Sequence, residues 1–421
     1  MSDRAPGPRL LNSGRILVWG GFAALLSALP PMFPQGFAIT LMSQMGIWIV
    51  FALSYNMLLG HTGMLSFGHA VYSGLGAYFT IHVLKMIGQG TLPLPVTLLP
   101  LVGGLAGLAF GIVFGWITTR KSGIAFAMIS LGIGEMVFAA SLMFPSFFGG
   151  EGGMSANRVV GGTVFGISYG PAIQVYYLIA FWTFVAMVAM FALTQTPLGR
   201  IANAVRDNPE RAEFIGYDTH TVRFLMLALS AFFAGISGGL AAINYELVAA
   251  ESVGTLRSGG VLLATFIGGA GFFFGPVIGA VLYTFFVVAL SNVTQAWLLY
   301  LGVFFMILVM YAPGGVASLV FVNLRAAKAG LLRRLLLPYA GLLASAALAL
   351  VGFVAAVEMT YTLSGDSGGE LRLFGAALNA RAPASWLAAL ALFAAGGLAY
   401  ALAWQRVRRE WEDIQQHLSG A

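Results

Sequence analysis

The sequence predicts an all-α integral membrane protein with about twelve transmembrane or half-membrane helices, some of them broken. Of its 421 residues 59% are apolar and 9% are charged, whereas a soluble domain carries about 25% charged residues. The mean hydropathy is +0.88. The 55 glycines fit the same class, because membrane helices pack closely through small residues. A chain of this composition must use lipid as its solvent.

Apolar runs separated by polar, proline-containing or glycine-containing turns mark the individual spans. In chain order they are Ile16–Leu29, Gly36–Leu59, Leu65–Leu84, Leu94–Thr118, Ile124–Phe144, Gln174–Thr194, Phe224–Asn244, Leu256–Gly268, Val277–Asn292, Ala296–Tyr311, Leu335–Val357 and Ser385–Trp404. The runs Leu256–Gly268 and Val277–Asn292 are short for a hydrocarbon core that needs about 20 residues. They could be two half-length crossings or the parts of a single one.

The basic residues indicate the orientation. With the N-terminus inside and the two short runs counted separately, sixteen of the 21 lysines and arginines fall on the cytoplasmic side. The five on the outside are Lys85, Arg158, Arg257, Arg372 and Arg381. Merging the short runs would move the basic stretch 325–334 outside, which favours two crossings. The positive-inside rule therefore predicts that both termini are cytoplasmic.

The stretch 195–223, QTPLGRIANAVRDNPERAEFIGYDTHTVR, is a polar island between apolar spans. Charged residues gather there, and apolar residues recur among them at roughly helical spacing. The periodicity breaks once, at Asn208-Pro209. The pattern predicts a pair of short amphipathic helices outside the bilayer, and an ordinary solvated loop is the alternative.

A second unusual stretch, Ala52–Tyr78, combines glycines with hydrogen-bonding side chains inside predicted spans. Candidates for a translocation path here are Ser54, Asn56, Ser66 and His69. Lipid offers such groups no partners, so a broken helix that lines a cavity would account for them. The alternative is a seam of small residues between helices, in which His69 is a satisfied interior histidine.

A faint internal similarity connects Gly63–Tyr78 with Gly271–Tyr283, since each contains Phe-Gly followed by glycine and alanine. Inverted repeats would place a substrate path at the interface between the halves. Coincidence between two glycine-rich segments is the alternative.

Two more polar residues are candidates for the path. Glu135 lies in the middle of the fifth predicted span, where a carboxylate costs about 2.5 to 3.5 kcal/mol and should face protein or water. It could line the path, or be a neutral or satisfied packing acid. Asn244 ends a span and could lie at the outer mouth.

Four ordered motifs make the region from about Gly36 to Arg325 strongly resemble the LivM-type permeases of the branched-chain amino acid ABC importers. The motifs are Asn56-Met57-Leu58-Leu59-Gly60 followed by the glycine-rich stretch to Tyr78, Leu198-Gly199-Arg200 through Gly216, Phe233-Ala234-Gly235-Ile236-Ser237-Gly238, and Ile267-Gly268-Gly269 through Ala280. Within the second, Glu210-Arg211-Ala212 and then Gly216 resemble the family's Glu-Ala-Ala-x-x-x-Gly coupling loop. Arg211 departs from it, since alanine usually stands there.

The resemblance implies a transmembrane subunit of an importer in the bacterial inner membrane. The coupling loop 195–223 would contact cytoplasmic ATPases through residues that include Arg200, Arg206, Asp207, Glu210, Ala212 and Gly216. The expected partners are a second, LivH-like permease, two cytoplasmic ABC ATPases and an extracytoplasmic substrate-binding protein. The outer segment Gly149-Gly150-Glu151-Gly152 would contact that binding protein or act as a lid, unless it is a flexible loop.

The substrates implied are branched-chain or other hydrophobic amino acids. Related importers carry urea, short amides or aromatic acids, and the sequence does not choose among these. The regions expected are 1–35, an N-terminal segment with the first helix; 36–325, the permease core; and 326–421, an extra helix pair with a cytoplasmic tail that the resemblance does not reach.

Several functions are disfavoured. None of the three lysines completes a P-loop, so ATP would be hydrolysed on partner subunits and the chain itself is expected to be neither an enzyme nor a cofactor protein. No metal-ligand spacing or catalytic set stands out, and the scattered basic residues do not suit nucleic acid. The rival is a stand-alone secondary transporter that uses Glu135 for proton coupling.

Overall fold

A computed structural model describes residues 13–160, 167–328, 332–364, 370–373 and 376–419. Arg4 and Arg9, counted above among the cytoplasmic basic residues, lie outside these ranges. The chain divides into two compact units, Met1–Phe285 and Phe286–Ala421. Helices dominate both units, in agreement with the predicted fold class.

The helices are, in chain order, α1 Ser13–Met32, α2 Gly36–Thr62, α3 Ala70–Gly88, α4 Leu99–Thr118, α5 Gly123–Met143, α6 Pro145–Phe148, α7 Ala172–Gln195, α8 Pro197–Asp207, α9 Pro209–Phe214, α10 Thr219–Tyr245, α11 Thr255–Gly268, α12 Gly275–Thr284, α13 Trp297–Tyr311, α14 Gly315–Lys328, α15 Leu332–Ser364 and α16 Pro383–Ser419. A π-helical turn, Phe285–Leu290, continues α12. The short strands β1 Met154–Ser155 and β2 Leu247–Val248 pair antiparallel, as do β3 Glu370–Leu373 and β4 Ala376–Asn379.

Helix α10 is the centre of the first unit, and it packs against α2, α3 and α4. Glycines let the backbones of α4 and α10 touch. A Cβ atom on Gly235 would lie 2.1 Å from the Gly103 carbonyl oxygen, and one on Gly107 would lie 2.3 Å from that of Ala231. No side chain larger than hydrogen fits there, which is the packing expected of small residues between membrane helices.

Buried hydroxyl groups join α2 to α10. Ser237 Oγ donates to the Ile47 carbonyl at 2.9 Å, and Ser230 Oγ donates to the Ser54 carbonyl at 2.6 Å. In lipid such groups must find partners within the protein, so these contacts specify how the two helices align.

Seven described helices are long and apolar enough to cross a membrane, or eight if the bent pair α13–α14 counts as one span. The predicted total of about twelve is therefore not confirmed. The helix segments Leu17–Met32, Thr255–Gly268 and Gly275–Leu290 are apolar but shorter than the others. These three segments are not counted among the seven because a full crossing takes about 20 residues.

Three boundaries differ from those predicted. The third span was expected to start at Leu65, but residues 63–69 are not helical and α3 starts at Ala70. Helix α14 was not expected, and it meets α13 at a 51° bend. The predicted tail after Trp404 continues α16 to Ser419, where Arg408 Nε donates to Glu412 Oε1 at 3.0 Å, one helical turn away.

The second unit contains the hairpin α15–α16, whose helices also touch at glycines. A Cβ atom on Gly352 would lie 2.5 Å from the Phe393 amide nitrogen, and one on Gly396 would lie 2.3 Å from that of Ala349. Glu358 on α15 accepts hydrogen bonds from Tyr300 Oη at 2.9 Å and Thr294 Oγ1 at 2.5 Å. This acid is therefore satisfied inside the unit.

Candidate functional site

The polar stretch 195–223 forms the two predicted short helices, α8 and α9, which lie between α7 and α10. A side chain caps the start of each of the three helices that follow α7, which are α8, α9 and α10. Thr196 Oγ1 accepts from the Gly199 amide at 3.3 Å, Asn208 Oδ1 from the Arg211 amide at 2.9 Å, and Asp218 Oδ1 from the His220 amide at 3.0 Å. These caps satisfy amides that have no intrahelical partner, so the sequence specifies where each helix begins.

Helix α8 is attached to the C-terminal end of α2. Arg206 Nη1 donates to the Gly60 carbonyl, and Arg206 Nε donates to Asp207 Oδ1 at 2.9 Å. Beside this contact, His61 Nδ1 lies 3.0 Å from Asn203 Oδ1. The last carbonyl groups of a helix lack intrahelical donors, so a guanidinium group there completes the end of α2.

Gly216 ends α9 in the left-handed conformation, with a φ of 95°. Its amide donates to the Glu213 carbonyl at 2.8 Å, and the Tyr217 amide donates to the Ala212 carbonyl at 3.1 Å. These two bonds are those of a Schellman motif. Glycine is needed here for its backbone freedom, since open space surrounds the position where a Cβ atom would lie.

The outer surface of α9 combines charged and apolar side chains. Glu210 and Arg211 are exposed, and the side chains of Phe214 and Ile215 are 91% and 68% exposed. Ala212 is only 2% exposed and packs inward. Phe214 was not among the predicted coupling residues, although an aromatic residue at the end of a short polar helix is a signal that could have found it.

Asp218 remains a charged cap. The Thr221 hydroxyl donates to its carboxylate, and together with the amides of His220 and Thr221 this holds the Asp218 pKa below its usual value. Thr219 Oγ1 also donates to Glu213 Oε1 at 2.7 Å, which connects the end of α9 to the start of α10.

Residues 63–69, between α2 and α3, form the unwound segment. Serine side chains from two other helices hold its backbone: Ser130 Oγ accepts from the Phe67 amide at 3.0 Å, and Ser258 Oγ accepts from the Ala70 amide, at the start of α3, at 3.0 Å. A Cβ atom on Gly68 would lie 2.1 Å from the Ser130 carbonyl oxygen. The break is thus supported by α5 and α11.

Four of the predicted path residues, Ser54, Asn56, Ser66 and His69, are buried inside the first unit. Ser54 Oγ lies 3.0 Å from His69 Nε2, and the His69 ring stacks on Phe51 with 5.5 Å between ring centroids. In this conformation these side chains pack between helices rather than face an open path.

The other two predicted path residues, Glu135 and Asn244, lie on α5 and α10. Glu135 is exposed on α5 and accepts a hydrogen bond from Thr255 Oγ1 at the start of α11. The carbonyl of Asn244, near the end of α10, accepts from Arg158 Nη1 at 3.1 Å. The structure therefore does not bring the six predicted path residues into one cluster.

The segment after α6 is held against the end of α10 by strands β1 and β2. Gly149 and Gly153 have φ values of 81° and 68°, and a Cβ atom on Gly153 would lie 2.4 Å from the Val248 carbonyl oxygen. Gly150 has a φ of 66°, and Glu151 is exposed. The glycines predicted to form an external loop thus build a turn.

Arg158 clamps this segment. Its amide donates to Glu246 Oε1 at 2.7 Å, and its guanidinium group donates to the Tyr169 carbonyl at 2.8 Å as well as to the end of α10. The sequence indicated only that Arg158 is an external cation. The contact joins residues far apart in the chain, so no local pattern could have revealed it.

The model of the family described as "Branched-chain amino acid transport system / permease component" matches residues 37–313. The chain belongs to this permease family. The match contains the unwound segment, α8, α9 and the Arg158 clamp, and it ends before α15.

The similar proteins are named as permeases of branched-chain amino acid transport. The permease is 26% identical over 309 residues to the high-affinity branched-chain amino acid transport system permease protein LivM of Salmonella typhimurium, which covers 68% of this chain and 71% of that protein. It is 25% identical over 258 residues to LivH of the same organism, covering 56% and 79%. It is 23% identical over 317 residues to a probable LivM of Methanocaldococcus jannaschii, covering 64% and 90%. No solved structure matches the permease significantly.

The permease is a multi-pass membrane protein, as its family and its apolar helices both indicate. Within the described ranges, no group of three or more histidine, aspartate or glutamate side chains could hold a metal ion. Its distinctive features are instead structural: a capped helix pair attached to α2, and an unwound segment that begins where α2 ends.

Proposed function

We propose that this permease is the transmembrane subunit of an ABC importer that moves branched-chain or other hydrophobic amino acids. Family membership supports the class of transporter. The observation that carries the proposal is the attachment of α8 to the end of α2 through Arg206 and the Gly60 carbonyl. It connects a surface suited to a protein partner directly to the membrane core.

The surface proposed to meet the ATPase is the exposed side of α9. Phe214 and Ile215 offer an apolar anchor, and Glu210 and Arg211 offer charges around it. A central aromatic residue within a polar rim is typical of the residues that dominate binding energy. Ala212 and Gly216 would support this surface rather than touch the ATPase, while Arg200 and Asp207 are exposed on α8.

Movement would pass along a short physical route. Closure of the ATPases displaces α9, and α8 moves with it because the two helices share the Asn208 cap. Arg206 transfers the displacement to the end of α2 and so to residues 63–69, whose backbone is anchored on Ser130 and Ser258. A rigid-body shift of this kind can alternate access without remodelling each helix.

We infer further partners from the family. A second, LivH-like permease would pair with this one, two cytoplasmic ATPases would supply the energy, and a binding protein would deliver substrate to the segment that contains Gly149 and Glu151. The pairing would use the outer face of α5, because Glu135 on that face requires protein or water rather than lipid. In this arrangement the chain lies in the bacterial inner membrane, with α8, α9 and both termini in the cytoplasm.

The test is affinity purification of the chain from its own membranes, followed by reconstitution and uptake. We expect two P-loop ATPases and a second permease to copurify, and ATP to drive leucine uptake in the presence of the binding protein. A panel of leucine, urea, acetamide and an aromatic acid then identifies the substrate class. Recovery of a lone homo-oligomer whose uptake follows a proton gradient would contradict the proposal and favour a secondary transporter.

A further inference from the structure

Arg257, in the first turn of α11, is a cation that lacks a counter-ion. Among the residues that the structure describes, no carboxylate forms a salt bridge with it. Its Nε atom is buried and has no hydrogen-bond partner there. A guanidinium group always carries its charge, and membrane proteins rarely retain an unpaired charge without a functional reason.

The position of Arg257 is deep in the first unit. Its Cζ atom lies 5.7 Å from the ring centroid of Trp48 and 5.6 Å from that of Phe51. Trp48 precedes Gly60 by twelve residues. At 1.5 Å per residue, the ring-bearing part of α2 lies about 18 Å from the end that holds α8. Arg257 is therefore near the middle of α2 rather than at its α8-bound end.

A small cavity lies beside this cation. Its volume is about 10 Å³, and Arg257, Ser73, Ser252, Tyr245 and Leu247 are among the residues that line it. Ser73 Oγ is fully buried and has no hydrogen-bond partner among the described residues. Ser73 Oγ and Arg257 Nε are both buried without a hydrogen-bond partner among the described residues, and both residues border this cavity. They would become available to a small anionic group when the surrounding helices move apart.

Two of the side chains that line the cavity are partly exposed. Tyr245 and Leu247 are 44% and 47% exposed. In this conformation the cavity is about the size of one water molecule, so a carboxylate would reach it only when the surrounding helices move apart. The Arg257 guanidinium group would suit the carboxylate of a branched-chain amino acid, and Leu247 and Tyr245 would suit its aliphatic side chain.

We propose that Arg257, with Ser73, binds the carboxylate of the transported amino acid on its way through the permease. Guanidinium groups pair with carboxylates in a two-pronged geometry that an ammonium group does not reproduce. The inference rests on the proposed function, and it adds the group of the substrate that is recognised and the residues that recognise it.

The experiment uses the complete importer in proteoliposomes, with leucine as the probe. Arg257→Met keeps an unbranched side chain but removes the charge, and Arg257→Lys keeps the charge without the planar, two-pronged guanidinium group. The matched control is Arg120→Met, since Arg120 also lies over a tryptophan, 5.6 Å from the Trp116 ring centroid, but outside the cavity. Uptake, ATP hydrolysis and the melting temperature of the complex are measured for each.

We expect Arg257→Met to lower leucine uptake about tenfold or more, as for loss of a desolvated charge pair. Arg257→Lys should fall between it and the wild type, and Arg120→Met should match the wild type. ATP hydrolysis should persist, and Arg257→Met should lower the melting temperature no more than Arg120→Met does. Each variant loses a cation–π contact with a tryptophan, and no described carboxylate forms a salt bridge with Arg257. A residue that served only the fold would lower stability when replaced.

The carboxylate site would be overturned if Arg257→Met took up leucine within about twofold of the wild type. A change of that size is too small for a lost charge pair. A fall in melting temperature that accounts for the lost uptake would also overturn it. Failure of the proposed function would look different, since the wild-type importer itself would then take up no leucine.

Discussion

At the scale of single residues, the contact between Arg206 and the Gly60 carbonyl is the most consequential. We predict that Arg206→Met lowers ATP-driven uptake about tenfold, because a charged hydrogen bond contributes about 1.5 to 3 kcal/mol. The measurement is uptake beside ATP hydrolysis stimulated by the loaded binding protein.

The control for Arg206→Met is Arg408→Met, which removes an exposed cation from α16. This variant should retain uptake. If Arg206→Met also retained uptake and stimulated hydrolysis, the route from α8 to α2 would be wrong.

Gly216 supports a second prediction at this scale. Gly216→Ala should destabilise the end of α9 by about 1 kcal/mol, because an L-residue with a side chain resists the left-handed conformation. Gly216→Asn should be milder, since asparagine adopts that conformation more readily. Thermal unfolding of the purified complex measures both, and equal effects would show that backbone conformation is not what this position requires.

The limits of sequence reasoning are clearest at single residues. Asn208-Pro209 predicted the break between α8 and α9 because capping and proline act locally. His69 was predicted either to line a path or to be a satisfied interior histidine, because polarity within a span does not by itself distinguish a cavity from a packed interior. The role inferred for Arg257 depends on burial and on missing partners among the described residues, which only the three-dimensional structure reveals.

At the scale of elements, the unwound segment 63–69 is held by close backbone contact. We predict that Gly68→Ala destabilises the permease by about 1 to 3 kcal/mol or more, because its Cβ atom would meet the Ser130 carbonyl oxygen at 2.1 Å. The measurement is the yield and melting temperature of the permease purified without its partners, so that no partner subunit covers α5.

Gly132→Ala is the matched control for this substitution. Gly132 lies on α5 near Ser130, but open space surrounds the position of its Cβ atom. Alanine there should be neutral or slightly stabilising, since alanine favours helix. Equal losses in both variants would indicate that α5 tolerates no added methyl group, rather than that the segment requires Gly68.

Individual helices also show where the predicted span boundaries were wrong. Glycines and polar residues correctly predicted a broken helix in Ala52–Tyr78, but not that the break would precede Ala70. Helix α14 follows Pro313-Gly314, residues that normally end a helix, so its renewal at Gly315 had no local signal.

At the scale of the whole molecule, the family match ends at residue 313, and the hairpin α15–α16 packs on itself. We predict that a chain truncated after Lys328 inserts, pairs with the second permease and retains uptake within about twofold, because α15 and α16 bury their glycine contacts mainly against each other. Copurification and uptake measure this, with the full chain as the control. Loss of assembly would instead make the hairpin part of the importer's pairing surface.

The direct backbone contact of α4 with α10 limits how this permease can change shape. Where Gly103 and Gly235 meet, no layer of side chains separates the two helices, so neither can shear past the other without breaking many contacts at once. The two helices must therefore move together as one rigid body. Any gate is then confined to elements outside this helix pair, and residues on those elements can vary without disturbing the contact between α4 and α10.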